Sequence, residues 1–127
     1  MKHTLILAST GVLMGCVTAL VGLPSIVELP AWISIYLLWV VYGVRAQLET
    51  PIRRMAVAST LAGLLTGSIQ VILMEQYQAH NPWYSDVFET STAQDLSTTM
   101  LGQGIGMGLL CGLIAGVLVR WRLSRAN

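Results

Sequence analysis

Charged side chains are scarce in this chain of 127 residues. Asp, Glu, Lys and Arg together make up 10% of it, whereas soluble domains carry about 25%. A disordered chain needs far more charge. A nucleic-acid-binding protein needs a basic excess, and here 7 basic residues against 6 acidic ones leave a net charge of +1. Hydrophobic residues make up 54%, which predicts an integral membrane protein with a single domain over residues 1–127 and no nucleic-acid partner.

The sequence also lacks the motifs of common chemistries. It has no nucleophile motif, no phosphate-binding loop and no CxxC pair. Its two cysteines, Cys16 and Cys111, are interpreted as small packing residues. The polar residues between positions 75 and 89 match no metal-binding spacing. We therefore expect no metal, no cofactor and no enzymatic activity.

The positions of the thirteen charges predict the fold class. They leave four charge-free segments, at residues 3–27, 29–44, 55–74 and 96–119. A helix needs about 20 apolar residues to cross the hydrocarbon core of a bilayer, and backbone groups in lipid must be paired within the chain. The sequence predicts an all-α bundle of four transmembrane helices, near residues 4–24, 30–46, 51–75 and 98–120, with an external loop at 76–97.

The distribution of basic residues predicts the orientation. With four spans, all seven basic residues fall at the two termini and in the second connection, which lie on the same side of the membrane. The first and third connections contain none. Basic residues favour the cytoplasmic side, so we expect both termini to be cytoplasmic in a membrane of the bacterial inner-membrane type.

A lipoprotein signal is the alternative interpretation of the N-terminal segment. The run Leu13-Met14-Gly15-Cys16 resembles a lipid-modification site. However, the apolar run continues through residues 17–23, which is the pattern of a full span and not of a short signal segment. We expect no cleavage before Cys16.

Glycines recur at four-residue spacing on three of the predicted helices. Such rows let helix backbones approach closely in lipid, where hydrophobic burial does little to bring helices together. Two interpretations remain open, packing within one chain or a seam with another copy or another membrane subunit. The residues concerned are Gly104, Gly108, Gly112 and Gly116 on the fourth helix, Gly11 and Gly15 on the first, and Gly63 and Gly67 on the third.

The second predicted helix has no glycine row and carries aromatic residues instead. Trp32, Tyr36, Trp39 and Tyr42 recur at helical spacing. We expect this helix to lie at the periphery of the bundle, with its aromatic stripe facing lipid or a partner. Helices one, three and four are then expected to form the tight core.

Two glutamines are the most polar uncharged side chains of the spans. Gln70 and Gln103 are expected either to form interhelical hydrogen bonds or to line a polar path. No charged residue lies at the central membrane depth, so a proton relay through this chain is not expected.

The glycine rows, together with the absence of catalytic motifs, favour an accessory or assembly subunit that packs through its glycine-rich helix faces. The alternative is a homo-oligomeric channel or carrier for a small solute. A membrane enzyme or redox protein is the weakest of the three hypotheses. The expected partners are the lipid bilayer and either further copies of the chain or other membrane subunits.

Overall fold

The computed structural model describes residues 1–126, and Asn127, the last residue of the predicted domain 1–127, lies outside the described residues. Helices dominate this range, and it contains no β-strand. A 3₁₀ turn at Pro82–Tyr84 separates two short helices. The six helices are α1 (Lys2–Leu20), α2 (Ser25–Arg45), α3 (Pro51–Ile72), α4 (Met74–His80), α5 (Ser85–Thr90) and α6 (Ala93–Ala126).

Four of these helices are long and apolar enough to cross a membrane. α1, α2, α3 and α6 contain 19, 21, 22 and 34 residues, with mean hydropathy between 1.6 and 1.8 in their most apolar windows. This confirms the predicted all-helical class and indicates a multi-pass membrane protein. The predicted external loop at 76–97 is largely helical, since α4, α5 and the start of α6 fall within it.

The start of α2 differs from the prediction by five residues. α2 begins at Ser25, and Pro30 lies inside the helix. The carbonyl oxygen of Pro24 accepts bonds from the backbone N–H groups of Val27 and Glu28, at 2.7 and 2.9 Å. The helix is therefore established one turn before Pro30, whose ring removes only one further backbone donor.

α6 likewise begins before the predicted start at residue 98. Thr92 and Asp95 form a reciprocal capping arrangement immediately before and within its first turn. The backbone N–H of Thr92 donates to Asp95 Oδ2 at 3.3 Å, and that of Asp95 donates to Thr92 Oγ1 at 3.2 Å. This pairing satisfies backbone donors at the start of a helix, which explains why α6 extends to Ala93.

α3 is the central helix of the bundle. It packs against α1 and against α6, and nine of its residues are buried, whereas only Trp39 and Gly43 are buried on α2. Ala58, Ser59 and Ala62 are fully buried. Small side chains on α3 thus allow close approach on more than one of its faces, the arrangement expected for helices packed in lipid.

Three residues of the aromatic stripe of α2, Tyr36, Trp39 and Tyr42, pack toward the other helices, so the prediction that the stripe faces lipid or a partner is wrong for them. The Trp39 side chain is only 2% exposed. The hydroxyl of Tyr36 lies 2.6 Å from Ser59 Oγ on α3, and the hydroxyl of Tyr42 lies 2.7 Å from His3 Nδ1 on α1. The two tyrosine hydroxyls thus have polar partners inside the bundle, whereas the buried indole N–H of Trp39 has none within residues 1–126.

α2 is tightly held at one end only. A Cβ on Gly43 would lie 2.5 Å from Met55 Cε and 2.9 Å from Val119 Cγ2. Gly43 is therefore a point of close contact between α2 and side chains of α3 and α6. In contrast, the first half of α2, from Ser25 to Ile35, contains no buried residue.

The two ends of the bundle carry opposite charge. The segment with α4 and α5 closes the end that we call the acidic end, and the helix termini at the other end form the basic end. The acidic end contains Glu28, Glu75, Asp86, Glu89 and Asp95, and the basic end contains Lys2, Arg45, Arg53, Arg54, Arg120, Arg122 and Arg125.

Asn81 fastens the acidic-end segment to α1. Its side-chain amide is buried and donates to the carbonyl oxygens of Thr18, at 2.9 Å, and Tyr77, at 2.6 Å. Next to it, Gly22 has a φ of 76° and contacts the carbonyl oxygen of His80. A side chain at Gly22 would meet both an unfavourable backbone angle and that oxygen.

Candidate functional site

The glycine row of α6 lies against α3. A Cβ on Gly108 would lie 2.5 Å from the carbonyl oxygen of Ser59, and one on Gly112 would lie 2.6 Å from that of Met55. Gly104 and Gly116 also face α3, at Gly63 and at Ile52 respectively. All four positions therefore require the absence of a side chain within this single chain.

The other glycines singled out in the sequence also lie at helix contacts. Gly11 contacts the backbone of Ala62, and a Cβ on Gly15 would lie 2.9 Å from Ile69 Cβ, so both face α3 from α1. A Cβ on Gly67 would lie 2.9 Å from the carbonyl oxygen of Met100 on α6. At several glycines along the α1–α3–α6 core, the backbone of one helix therefore lies in contact with the neighbouring helix.

Two glycines of α6 lie outside this contact. Gly102 and Gly106 have no atom of another element within 4 Å of a Cβ built on them. They form a second row with four-residue spacing on the exposed face of the helix. Packing within the chain therefore leaves this face uncovered.

A cavity of about 530 Å³ lies between the acidic-end half of α2 and the α3–α6 pair. It exists because α2 is held at Gly43 and is free of buried contacts toward Ser25. The hydroxyls of Ser25 and Tyr84 lie 2.7 Å apart and connect the open end of α2 to the acidic-end segment. Gly63 and Gly104 lie at its back wall.

Aromatic rings form two walls of the cavity. On α2, the rings of Trp32 and Tyr36 are stacked with centroids 6.0 Å apart. On the acidic-end segment, Phe88 makes edge contacts with Tyr77 and Tyr84 at centroid distances of 5.9 and 6.3 Å. All five side chains line the cavity.

The polar lining combines buried and accessible groups. Gln70 is 8% exposed and its Nε2 donates to Thr18 Oγ1 on α1 at 2.9 Å. Thr66 is also buried, and its hydroxyl lies 2.9 Å from the carbonyl oxygen of Gly11. Gln103 is exposed at the open side of the cavity. Both glutamines therefore line one space, with Gln70 anchored and Gln103 accessible.

Glu28 is the one charged residue in the cavity lining, which contains no Lys, Arg or His. It is partly buried on α2, one turn before Trp32 and two turns before Tyr36. Burial, with smaller contributions from the nearby charges of Glu28 and Tyr84, raises the pKa of Tyr77 to about 12. The carboxylate of Glu28 on α2 is thus close enough to affect the pKa of Tyr77 on the acidic-end segment.

Sequence reasoning missed Glu28 and the aromatic walls as parts of one site. The available signal was the four-residue spacing of Glu28, Trp32 and Tyr36, which places them on one helix face. Within residues 1–126, no group of three or more His, Cys, Asp or Glu side chains is placed to hold a metal ion. Cys16 and Cys111 are both free thiols.

Scans of the chain against family models, curated proteins and solved structures find no match to it.

Proposed function

We propose that this protein is a non-enzymatic membrane carrier that binds a small amphipathic solute in the cavity between α2 and the α3–α6 pair. The volume of about 530 Å³ is the observation that carries the proposal. Cavities for small molecules typically measure roughly 300–1,000 Å³ and combine apolar walls with a few polar groups. This cavity has that composition, with aromatic walls and with Gln70, Gln103 and Glu28 in its lining.

The tight core supports a carrier with one moving element. α1, α3 and α6 are locked together by glycine contacts, whereas α2 is held mainly at Gly43. Rotation of α2 about this point changes the width of the cavity and leaves the core intact. Hinges of this kind absorb motion at a few positions while packed elements move as rigid bodies.

The proposed orientation places the cavity toward the external side. All seven basic residues lie at the basic end, and basic residues favour the cytoplasm. We therefore propose a cell membrane of the bacterial inner-membrane type, with both termini cytoplasmic. The acidic end then receives solute from outside the cell.

A matched pair of substitutions tests the cavity. Met107 lines it and is 52% exposed, whereas Ile114 lies two turns further along the same face of α6, is 54% exposed and does not line it. Met107→Trp places a large ring at the open side, and Ile114→Trp is the control. Calorimetric titration of the purified protein with triphenylphosphine oxide, corrected for protein-free micelles, should show saturable binding that Met107→Trp weakens at least tenfold, about 1.4 kcal/mol.

The control and the wild type decide the outcome. Ile114→Trp should bind like the wild type. Equal binding by both variants, or no saturable binding by the wild type, would contradict the carrier proposal. Transport is then tested with the protein reconstituted into proteoliposomes, by measuring uptake of the probe into the vesicles. A carrier must release the solute on the opposite side of the membrane from the side on which it binds it.

A second candidate function is an accessory or assembly subunit, either in a homo-oligomer or with other membrane proteins. The uncovered row of Gly102 and Gly106 on α6 favours it, because small residues allow a second helix to approach closely. Gly106→Leu should then remove a partner or dimer peak in mild detergent while the monomer keeps its melting temperature. Mass spectrometry of the complex distinguishes a foreign subunit from a second copy, and a monomeric wild type would contradict this candidate.

A further inference from the structure

We propose that the solute bound in the cavity is an amphipathic organic cation, with its charged group at Glu28 and its apolar body extending toward Tyr36. This inference rests on the proposed function, because it names the substrate class of the same cavity. Three independent features of the cavity carry it: its charge, its aromatic walls and its shape.

The charge of the cavity selects a cation. Glu28 is the one charged residue in its lining, and the surrounding acidic end adds Glu75, Asp86, Glu89 and Asp95. A low-dielectric cleft surrounded by one sign of charge concentrates ions of the opposite sign. An anion entering from this end would meet five carboxylates and, within residues 1–126, no Lys or Arg side chain at the acidic end.

Glu28 also has no cationic partner among residues 1–126. The ion pair found in residues 1–126 joins Arg54 to Glu49 at the basic end, at 3.7 Å. A partly buried carboxylate beside apolar walls is costly unless a charge or several hydrogen bonds compensate it. A bound cation would supply that compensation.

The aromatic walls fit the same ligand. Faces of Trp and Tyr rings attract cations through their negative electrostatic potential, most strongly where water is excluded. Trp32 follows Glu28 by one helical turn on the same face of α2, and Tyr77 is close enough to respond to the charge of Glu28. The carboxylate is therefore bordered by rings from both walls, the arrangement that recognises ammonium groups.

The shape of the cavity explains why the cation should be amphipathic. Glu28 and Tyr36 are separated by eight residues, or about 12 Å along a helix. Beyond Glu28 the cavity is lined by Ile33, Met107 and Cys111, which offer no compensating charge. A ligand that fills it needs an apolar body behind its charged group, and the flexible Met107 side chain adapts to different bodies.

Two ions of nearly equal shape and opposite charge test the inference. Tetraphenylphosphonium and tetraphenylborate are titrated into the purified full chain in a neutral detergent, with protein-free micelles subtracted. The expected result is saturable binding in which the cation binds at least about tenfold tighter than the anion. This comparison uses the wild type and does not depend on the folding of any variant.

A neutralising substitution then assigns the preference to Glu28. Glu28→Gln keeps the size of the side chain, and Glu75→Gln removes a charge from the same end outside the cavity lining. The ratio of cation to anion affinities should fall about tenfold in Glu28→Gln and keep its wild-type value in Glu75→Gln. Size-exclusion profiles and thermal melts of both variants verify that the fold is retained.

The outcomes separate the two proposals. Equal binding of the two ions by the wild type, or an unchanged ratio in Glu28→Gln, would overturn the cation inference. In that case, binding of triphenylphosphine oxide that is sensitive to Met107→Trp would still support the carrier proposal. Absence of saturable binding for all three probes would overturn both.

Discussion

The backbones of Gly63 on α3 and Gly104 on α6 touch, and the carbonyl oxygen of each residue occupies the space that a Cβ on the other would need. Both glycines also lie at the back wall of the cavity. The closest approach of the two helices is therefore adjacent to the space left open by α2. The wall formed by α3 and α6 is thus closely packed, whereas the facing half of α2 contains no buried residue.

The first prediction compares two neighbouring glycines of α6. Gly104→Ala adds a Cβ against the carbonyl oxygen of Gly63, whereas Gly102→Ala meets no atom of another element within 4 Å. Overpacking of this kind typically costs about 1–3 kcal/mol. Thermal melts in detergent should therefore show a clear loss of stability for Gly104→Ala. Gly102→Ala should melt like the wild type or slightly higher, because alanine favours the helix. Equal melting temperatures for the two variants would contradict the close contact between Gly104 and Gly63.

The second prediction separates internal packing from an intermolecular seam. Gly112→Leu introduces a bulky side chain where a Cβ alone would lie 2.6 Å from the carbonyl oxygen of Met55, so the monomer should lose stability. Val117, which is 53% exposed on the same helix, tolerates Val117→Leu. Thermal melts paired with size-exclusion profiles check this. A stable Gly112→Leu monomer that has lost only its oligomer would show that this row serves another chain.

Much of the helical architecture follows from the sequence, because charge placement and helix length are local properties. The four long apolar helices were predicted for this reason. The start of α2 was not predicted, since Pro30 resembles a first-turn proline. The backbone hydrogen bonds from Val27 and Glu28 to Pro24 start the helix earlier, and they cannot be recognised from composition. The start of α6 has a sequence signal, Thr92 followed three residues later by Asp95, although both residues precede the apolar run.

The cavity could not be predicted from the sequence. Its walls depend on how α2 packs against α3 and α6, which involves contacts between residues far apart in sequence, such as those of Gly43 with Met55 and Val119. The expected lipid-facing stripe on α2 was wrong for a related reason. Helical spacing shows that Tyr36 and Trp39 lie on nearby faces, but the direction of those faces depends on Ser59 and its small neighbours on α3.

The third prediction concerns the attachment of the acidic-end segment. Asn81→Ala removes two hydrogen bonds, to the carbonyl oxygens of Thr18 and Tyr77. Loss of buried hydrogen bonds that leaves acceptors unpaired costs about 1–3 kcal/mol. Hydrogen exchange should increase in residues 74–90 more than in α3. Gln76→Ala, an exposed position in the same short helix, is the control, and equal exchange in the two variants would contradict the role of Asn81.

The fourth prediction uses the pKa of Tyr77, which burial, with help from the charges of Glu28 and Tyr84, raises to about 12. An unfolded tyrosine loses its proton near pH 10, taking about 10 as its ordinary pKa. The folded state therefore retains a proton that the unfolded state has lost between these two values. By linkage, this contribution to stability is complete below the lower pKa and is lost as the pH rises through the higher one.

Tyr77→Phe tests that dependence because it removes the titrating hydroxyl and keeps the ring. Melting temperatures measured from neutral to strongly alkaline pH should fall less steeply in the variant than in the wild type above about pH 10. Comparison of each protein with its own value at neutral pH removes any constant effect of the substitution. Parallel alkaline profiles would show that Tyr77 does not contribute.

The fifth prediction concerns which end of the bundle faces the cytoplasm, and it decides from which side a solute reaches the cavity. A fluorescent-protein fusion after Asn127 should be active, because that reporter matures in the cytoplasm, and an alkaline phosphatase fusion near Glu89 should be active outside it. The seven basic residues of the basic end favour this arrangement. Replacing Arg120, Arg122 and Arg125 by Gln weakens the bias at the C-terminus, whereas Glu75→Gln and Glu89→Gln should leave it unchanged, since acidic residues contribute little to orientation. An external C-terminus in the wild type would place Glu28 and the aromatic walls on the cytoplasmic side, and the proposed cation would then enter the cavity from the cytoplasm.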